Sequence, residues 1–204
     1  MTATPTPRAP RLLVISGSAR TGSHNRKLVE LAAAKARALG AETTSLELRD
    51  LALPVYDEDL SQAHGKPAGA LRLRDVLAEH DGLLLASPEY NALPTPLLLN
   101  SFDWVSVVPA ADGKPSGAGS TAGKPVGLMA ASPGALGGIR ALPIVRTYLS
   151  TNFAMVVVPE QLALPSADHQ WNDAGQLVKP ELDAALDRLV ASVVRQARWR
   201  MAEQ

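Results

Sequence analysis

Gly17-Ser18-Ala19-Arg20-Thr21-Gly22-Ser23-His24-Asn25 lies between an apolar run, Leu12-Leu13-Val14-Ile15, and a helical pattern that begins near Arg26. A buried strand, a turn rich in Gly and Ser, and a helix start make an anion site. The N–H groups of the turn point inward, and the first N–H groups of the helix have no intrahelical acceptor. Hydroxyls at Ser18, Thr21 and Ser23 add donors, and Arg20 adds a permanent positive charge. The stretch reads as a phosphate cradle; the plainer reading is a strand–helix connection with Ser23 as N-cap. The Gly17-x4-Gly22 spacing has the frame of a P-loop, but Ser23 and His24 follow where Lys and then Ser or Thr would be needed. Without that lysine the terminal phosphates of a nucleoside triphosphate lose their main partner, which disfavours an NTPase. The dinucleotide fingerprint G-x-G-x-x-G is also absent. Hydroxyls, one Arg and an Asn suit a single terminal phosphomonoester.

Outward from this stretch, apolar runs alternate with helical patterns. Strands are expected over residues 11–16, 41–48, 82–86, 125–131 and 153–158. Helices are expected over 24–39 (closed by Gly40), 67–80, from 96 through Asn100, Asp103 and Trp104, 139–151 and 180–200. Residues 53–60 and the Gly/Ser/Pro-rich 110–124 read as loops. Near-continuous apolar strands separated by helices imply an α/β fold whose parallel sheet is covered on both faces. Five such units suit the doubly wound strand order 2-1-3-4-5, in which ligands sit at the carboxyl ends of strands where the winding reverses.

That order brings three unusual turns to one crevice: 17–25, 88–91 and 132–138. The second turn suits a flat heteroaromatic ring. Pro88 fixes the backbone, N–H groups follow at Glu89, Tyr90 and Asn91, and Tyr90 offers an amphipathic face. Asn91 can donate and accept at once. In the third turn, Ser132 is followed by Gly134, Gly137 and Gly138, which permit close backbone approach.

Composition bounds the function. The chain has 204 residues, 46% of them hydrophobic, enough for one well-filled domain and short for two. Its 20 basic and 20 acidic residues balance, which argues against nucleic acid or an anionic membrane as the main partner. Cysteine is absent, excluding thiol nucleophiles and zinc–thiolate sites, and the four histidines are scattered without metal-ligand spacing. No apolar run approaches the roughly 20 residues of a membrane span. Residues 1–10 read as a disordered leader, residues 11–204 as a single domain, and a cytoplasmic location is the default.

Four motifs, taken together, resemble the NADPH-dependent FMN reductase family. They are Gly-Ser-x-Arg-x-Gly-Ser-x-Asn after the first strand, Pro-Glu-Tyr-Asn after the third, Asn-x-x-Asp-Trp in the next helix, and Ser-Pro-Gly-x-x-Gly-Gly after the fourth strand. The resemblance runs from about Leu12 to Val158 and includes flavin, quinone, chromate and azo-compound reductases. It implies a flavodoxin-like three-layer sandwich with bound FMN and NAD(P)H as co-substrate. By position it assigns the FMN phosphate to residues 17–25, with side-chain contacts from Ser18, Arg20, Ser23 and Asn25. It assigns the ring and ribityl chain to Pro88, Glu89, Tyr90 and Asn91, and the ring's pyrimidine side to Ser132, Gly134 and Gly137. It also implies a homodimer or homotetramer, with the helix carrying Asn100, Asp103 and Trp104 near the subunit contact. Two positions depart from the family: Ala92 stands where a Gly often follows the Asn, and Leu99 where a Lys commonly precedes Asn100.

The implied activity passes a hydride from NAD(P)H through FMN to a quinone, free flavin or similar small acceptor. No catalytic side chain is required, because the cofactor carries the chemistry. The same fold also serves single-electron carriers and non-catalytic flavin-binding modules. Carriers tend to be strongly acidic around the flavin, which the neutral total disfavours.

Overall fold

The computed structural model describes residues 8–203 and contains one all-parallel, five-stranded sheet. Its strands are β1 Arg11–Ser16, β2 Glu42–Glu47, β3 Gly82–Ala86, β4 Pro125–Ala131 and β5 Val156–Leu164, in the order β2-β1-β3-β4-β5. Alternation along β1 divides the core. Leu12 and Val14 face the layer of α1 (His24–Ala38) and α7 (Pro180–Ala202). Leu13 and Ile15 face the layer of α3 (Ala68–Glu79), α4 (Pro96–Ser106) and α6 (Ala141–Asn152). Both central strands, β3 and β4, are buried along their whole length, which is why they read as unbroken apolar runs. Each fully buried Leu or Val contributes about 1.5–3 kcal/mol. All strands being parallel, the turns leaving β1, β3 and β4 share one rim, and the reversal of winding between β1 and β3 opens a crevice there.

Three sequence expectations need correction. Residues 53–60 were expected to be loop, but α2 (Glu58–His64) begins inside them, capped by Asp57, whose carboxylate accepts from Asp59 N–H at 2.8 Å. Residues 110–124 contain α5 (Gly117–Thr121), folded tightly against α4: a Cβ at Gly117 would lie 1.7 Å from the Val105 carbonyl oxygen. The third concerns β5, expected at 153–158. Helix α6 continues to Asn152, Phe153 caps it, and Ala154 turns the chain with φ 49°. The strand then runs past Pro159 to Leu164, because the register jumps from Val126↔Val157 to Leu128↔Gln161 and the bulge absorbs the proline.

Of the expected leader, residues 1–7 lie outside the described residues, while Arg8–Pro10 already belong to the domain. The Arg8 guanidinium grips the buried Asp81 carboxylate at 2.6 and 2.7 Å, and the Pro10 carbonyl accepts from Glu42 N–H at 2.9 Å. Among the described residues no helix is long and apolar enough to cross a membrane.

Candidate functional site

The turns after β1, β3 and β4 surround a cavity of about 180 Å³ at the carboxyl rim, lined from all three by Ser18, Arg20, Ser23, Pro88, Tyr90 and Ser132, among others. In the first turn, Gly17 is pinned between strands: its N–H donates to the Ala86 carbonyl at 2.8 Å, and its carbonyl accepts from Thr95 Oγ1 at 2.7 Å. Thr95 also caps α4 through Leu98 N–H. Sequence reading passed over this residue, although a Thr just before Pro96 is an N-cap signal.

Three guanidinium groups hold the carbonyls of this turn. Arg49 donates to Ala19 O at 3.2 Å, Arg26 to Arg20 O at 3.2 Å, and Arg20 to Gly22 O at 3.3 Å. Arg26 is itself fixed on Glu47 at the end of β2, at 2.5 Å. Among the described residues the N–H groups of Thr21, Gly22, Ser23, His24 and Asn25 meet no protein acceptor. Ser23 Oγ caps α1 by accepting from Arg26 N–H at 3.3 Å. A row of open N–H donors, the hydroxyls of Ser18 and Ser23 and the Arg20 cation together fit a phosphomonoester. Burial, reinforced by Arg20 and Lys27 against a smaller opposing pull from Asp168, lowers the His24 pKa, so its imidazole is neutral near pH 7. Ala19 and Thr21 are exposed and lie outside the cavity wall.

Several expected contact residues also make bonds within the fold. Asn25, expected to touch phosphate, is buried, and both ends of its side-chain amide bond Ala131: Nδ2 donates to the carbonyl at 2.8 Å and Oδ1 accepts the N–H at 2.9 Å. It joins α1 to the end of β4 while lining the phosphate cavity, with one amide hydrogen and its backbone N–H still unpaired among the described residues. Glu89, expected beside the ring, lines the cavity and also caps α6. Its carboxylate accepts Arg140 N–H at 2.9 Å and Ala141 N–H at 3.2 Å, and pairs with the Arg140 guanidinium. Burial alone would raise the Glu89 pKa, but these donors hold it below the usual carboxylate value. Gly137 and Gly138 approach the fold itself. Their φ angles are 63° and 87°, and a Cβ would lie 2.7 Å from Pro165 N and 2.8 Å from Ala130 Cβ respectively. Gly134 is exposed and donates to Ser132 Oγ at 3.1 Å, and Ser132 remains on the cavity wall.

Tyr90 and Asn91 form the open edge. Tyr90 and Leu93 exchange backbone hydrogen bonds of 2.9 and 3.0 Å, with φ 52° at Asn91 and 67° at Ala92 between them. This tight turn leaves the Tyr90 ring 49% exposed. Tyr90 also lines a second, larger groove of about 810 Å³, whose walls include Val55, Leu93, Leu97, Ile144 and Tyr148. Asp103 lies on that wall, accepting from Tyr148 Oη at 2.9 Å. Burial and that carboxylate raise the Tyr148 pKa, so the phenol stays protonated. Asn100 and Trp104 are occupied within the chain, both donating to the Pro54 carbonyl, at 2.8 and 2.7 Å. Among the described residues no group of three His, Asp or Glu could hold a metal ion.

A cavity with phosphate donors on one side, opening past an exposed tyrosine into an apolar groove, suits a nucleotide carrying a flat ring. Comparisons with known proteins agree. Residues 10–169 match the family model described as NADPH-dependent FMN reductase. A quinone reductase of Pseudomonas putida is 31% identical over 185 residues, covering 88% of this chain and 92% of that protein. An NAD(P)H-dependent FMN reductase of Pseudomonas aeruginosa is 32% identical over 169 residues, covering 82% and 84%. In fold, the chain is similar to the flavoenzyme NAD(P)H:(acceptor) oxidoreductase FerB of Paracoccus denitrificans, with a TM-score of 0.73 at 24% identity, covering 94% of this chain and 98% of that one. With three converging turns and a match over most of its length, this chain belongs to the NADPH-dependent FMN reductase family.

Proposed function

We propose that this protein is a cytoplasmic NAD(P)H oxidoreductase that holds FMN at the 180 Å³ cavity and reduces quinones or similarly flat, uncharged acceptors admitted along the apolar groove. The observation that carries the reading is the division of the rim: open N–H donors and a cation at the first turn, aromatic and aliphatic surface at the second. Bound there, FMN supplies the hydride chemistry between NAD(P)H and the acceptor.

The protein's own residues bind and orient. Ser18, Arg20, Ser23 and the N–H groups of residues 21–25 hold the phosphate. Pro88, Tyr90, Asn91 and Ser132 border the ring. Asn25, Glu89, Gly137 and Gly138 keep the three turns in register. The exposed apolar groups Val55, Tyr90, Leu93 and Ile144 around the groove also suit burial against a second copy of the chain, in a homodimer or homotetramer. The purified protein is expected to be yellow, or to bind added FMN, and to oxidise NADH or NADPH with benzoquinone. Colourless protein that refuses FMN would sink the reading. Rapid NAD(P)H oxidation by the isolated chain separates it from a single-electron carrier and from a non-catalytic flavin-binding module.

A further inference from the structure

Behind the phosphate turn, on the side away from the groove, lies another cavity of about 560 Å³. It shares Ser23 and His24 with the phosphate cavity and is otherwise walled by Gly22, Arg26, Lys27, Asp168, Trp171 and Asn172. Nothing in the flavin mononucleotide reading uses it. Its groups are of four chemical kinds. The Lys27 ammonium stands 4.5 Å from the centre of the Trp171 ring, free of any carboxylate partner among the described residues. The Trp171 ring packs on the α1/α7 core from the base of a turn in which Asn172 N–H donates to the Gln176 carbonyl at 2.9 Å, so its position is fixed. Its indole Nε1 has no hydrogen-bond partner. Asp168 is half exposed, and among the described residues its one ion-pair partner is the exposed ring of His169, at 3.3 Å. Asn172 is exposed, its Oδ1 accepting from Gln176 N–H at 2.9 Å and its Nδ2 facing Gln176 Oε1 at 3.4 Å with its second hydrogen unused among the described residues.

Resting on the assignment of the flavin phosphate to residues 17–25, we propose that this cavity binds an adenylate: the AMP half of a dinucleotide whose other half occupies the cradle or lies over it. A phosphate bonded to Ser23 and His24 N–H would have the next phosphate of a pyrophosphate at the shared wall, within reach of Lys27. That ammonium leaves the indole face for the phosphate and exposes the ring for a purine to stack on. The Asp168 carboxylate accepts from ribose hydroxyls, and the remaining Asn172 Nδ2 hydrogen donates to a ring nitrogen of the base. A volume of about 560 Å³ falls in the range of roughly 300–1,000 Å³ typical of small-molecule sites. The adenylate has two sources, FAD in place of FMN or the adenosine end of NAD(P)H, and they are separable.

Apoprotein is titrated with FMN and with FAD by flavin fluorescence, and FMN-loaded protein is titrated with AMP and NADP+ by calorimetry. If FAD is the source, it binds about 10-fold or more tighter than FMN. Trp171→Ala and Asp168→Ala then each remove that advantage while leaving the FMN dissociation constant within about twofold. If the nicotinamide cofactor is the source, FMN-loaded protein binds AMP and NADP+, and the same variants abolish both. Lys27→Gln repeats the test should Trp171→Ala fail to fold. FAD no tighter than FMN together with no binding of AMP or NADP+ overturns the inference, as does any advantage that survives all three variants. Failure of wild-type protein to bind FMN at all would instead overturn the cradle itself.

Discussion

The first turn and the two turns facing it are built on opposite plans. In residues 17–25 the fold consumes the carbonyls, on Arg20, Arg26 and Arg49, and leaves a row of N–H groups open. In residues 88–91 and 132–138 the fold consumes the side chains. The Glu89 carboxylate is spent on α6, and the two close glycines are spent on β4 and the end of β5. What those turns present outward is mostly apolar, notably Tyr90, Leu93, Leu136 and Ile139. One half of the rim is therefore chemistry prepared for a ligand, and the other is scaffolding with an oily surface. A polar residue in a motif is not thereby a ligand contact. Variants on the two halves should separate accordingly, scaffold changes costing stability and cradle changes costing affinity.

The largest loss is expected at Asn25, which bridges the halves. Asn25→Ala leaves the buried N–H and carbonyl of Ala131 without partners, at about 1–3 kcal/mol each. Urea unfolding should show a stability drop of about 2–6 kcal/mol by the same reckoning. A drop below 1 kcal/mol, accompanied by a large loss of FMN affinity, would return Asn25 to the ligand shell. Next comes a matched pair of glycines. Gly137→Ala combines a left-handed φ of 63° with backbone atoms 2.7–2.9 Å from the new Cβ, which cannot yield. Gly22→Ala has φ 68° but nothing within 4 Å of the new Cβ. The first should cost about 2–4 kcal/mol and the second about 1–2. Equal costs would mean that the third turn is looser than its contacts indicate.

Arg20→Ala should do the reverse. A charged hydrogen bond contributes about 1.5–3 kcal/mol, so FMN affinity should fall roughly 10- to 150-fold. Thermal stability without ligand should barely move, because the side chain is exposed and makes only one 3.3 Å bond to the fold. Unchanged affinity in a titration of apoprotein would remove Arg20 from the cradle.

These contrasts also mark what the sequence discloses. Strand order and the meeting of the three turns at one rim were legible because each rests on local pattern: apolar runs, a Gly/Ser turn, a helix start. The bonds of Asn25 and Glu89 within the fold were not, because their partners lie 106 and 51 residues away along the chain and no local pattern encodes them. The glycines of 132–138 were legible as special positions but not for the right reason: their neighbours Pro165 and Ala130 appear only once β4 and β5 are paired. The extent of β5 was obscured because Phe153 and Met155 are as apolar as strand residues while closing a helix, and because Pro159, lacking an N–H, argues against the extension that the bulge permits.

A smaller effect depends on pH. Glu89 has a folded pKa held below its ordinary 4.5. Its contribution as a cap is therefore fully present above about pH 4.5 and is lost as pH falls through the folded value. Glu89→Gln keeps one acceptor for the α6 N–H groups but loses the pairing with Arg140, and should cost about 1 kcal/mol at pH 7. The difference between variant and wild type should shrink in unfolding experiments below pH 4.5. A constant difference down to pH 3 would mean that the carboxylate charge contributes nothing to the contact between the second and third turns.

The smallest effect has the opposite sign. Between Tyr90 and Leu93, φ is positive at both central residues, 52° at Asn91 and 67° at Ala92, the geometry of a two-residue turn that favours Asn followed by Gly. Asn tolerates the left-handed region, whereas an Ala there carries about 1–2 kcal/mol of steric cost. Glycine would relieve that cost but give back about 0.5–1 kcal/mol through the greater freedom of the unfolded chain. The net for Ala92→Gly is a gain of about 0.5 kcal/mol, read as a small rise in unfolding midpoint. Because the turn stays closed by its two backbone hydrogen bonds, Tyr90 keeps its place and FMN affinity should not change. A stability gain with unchanged affinity would mean that the methyl group strains the scaffold without shaping the cradle. A loss of affinity would instead assign the Ala92 side chain to the ligand-facing half of the rim.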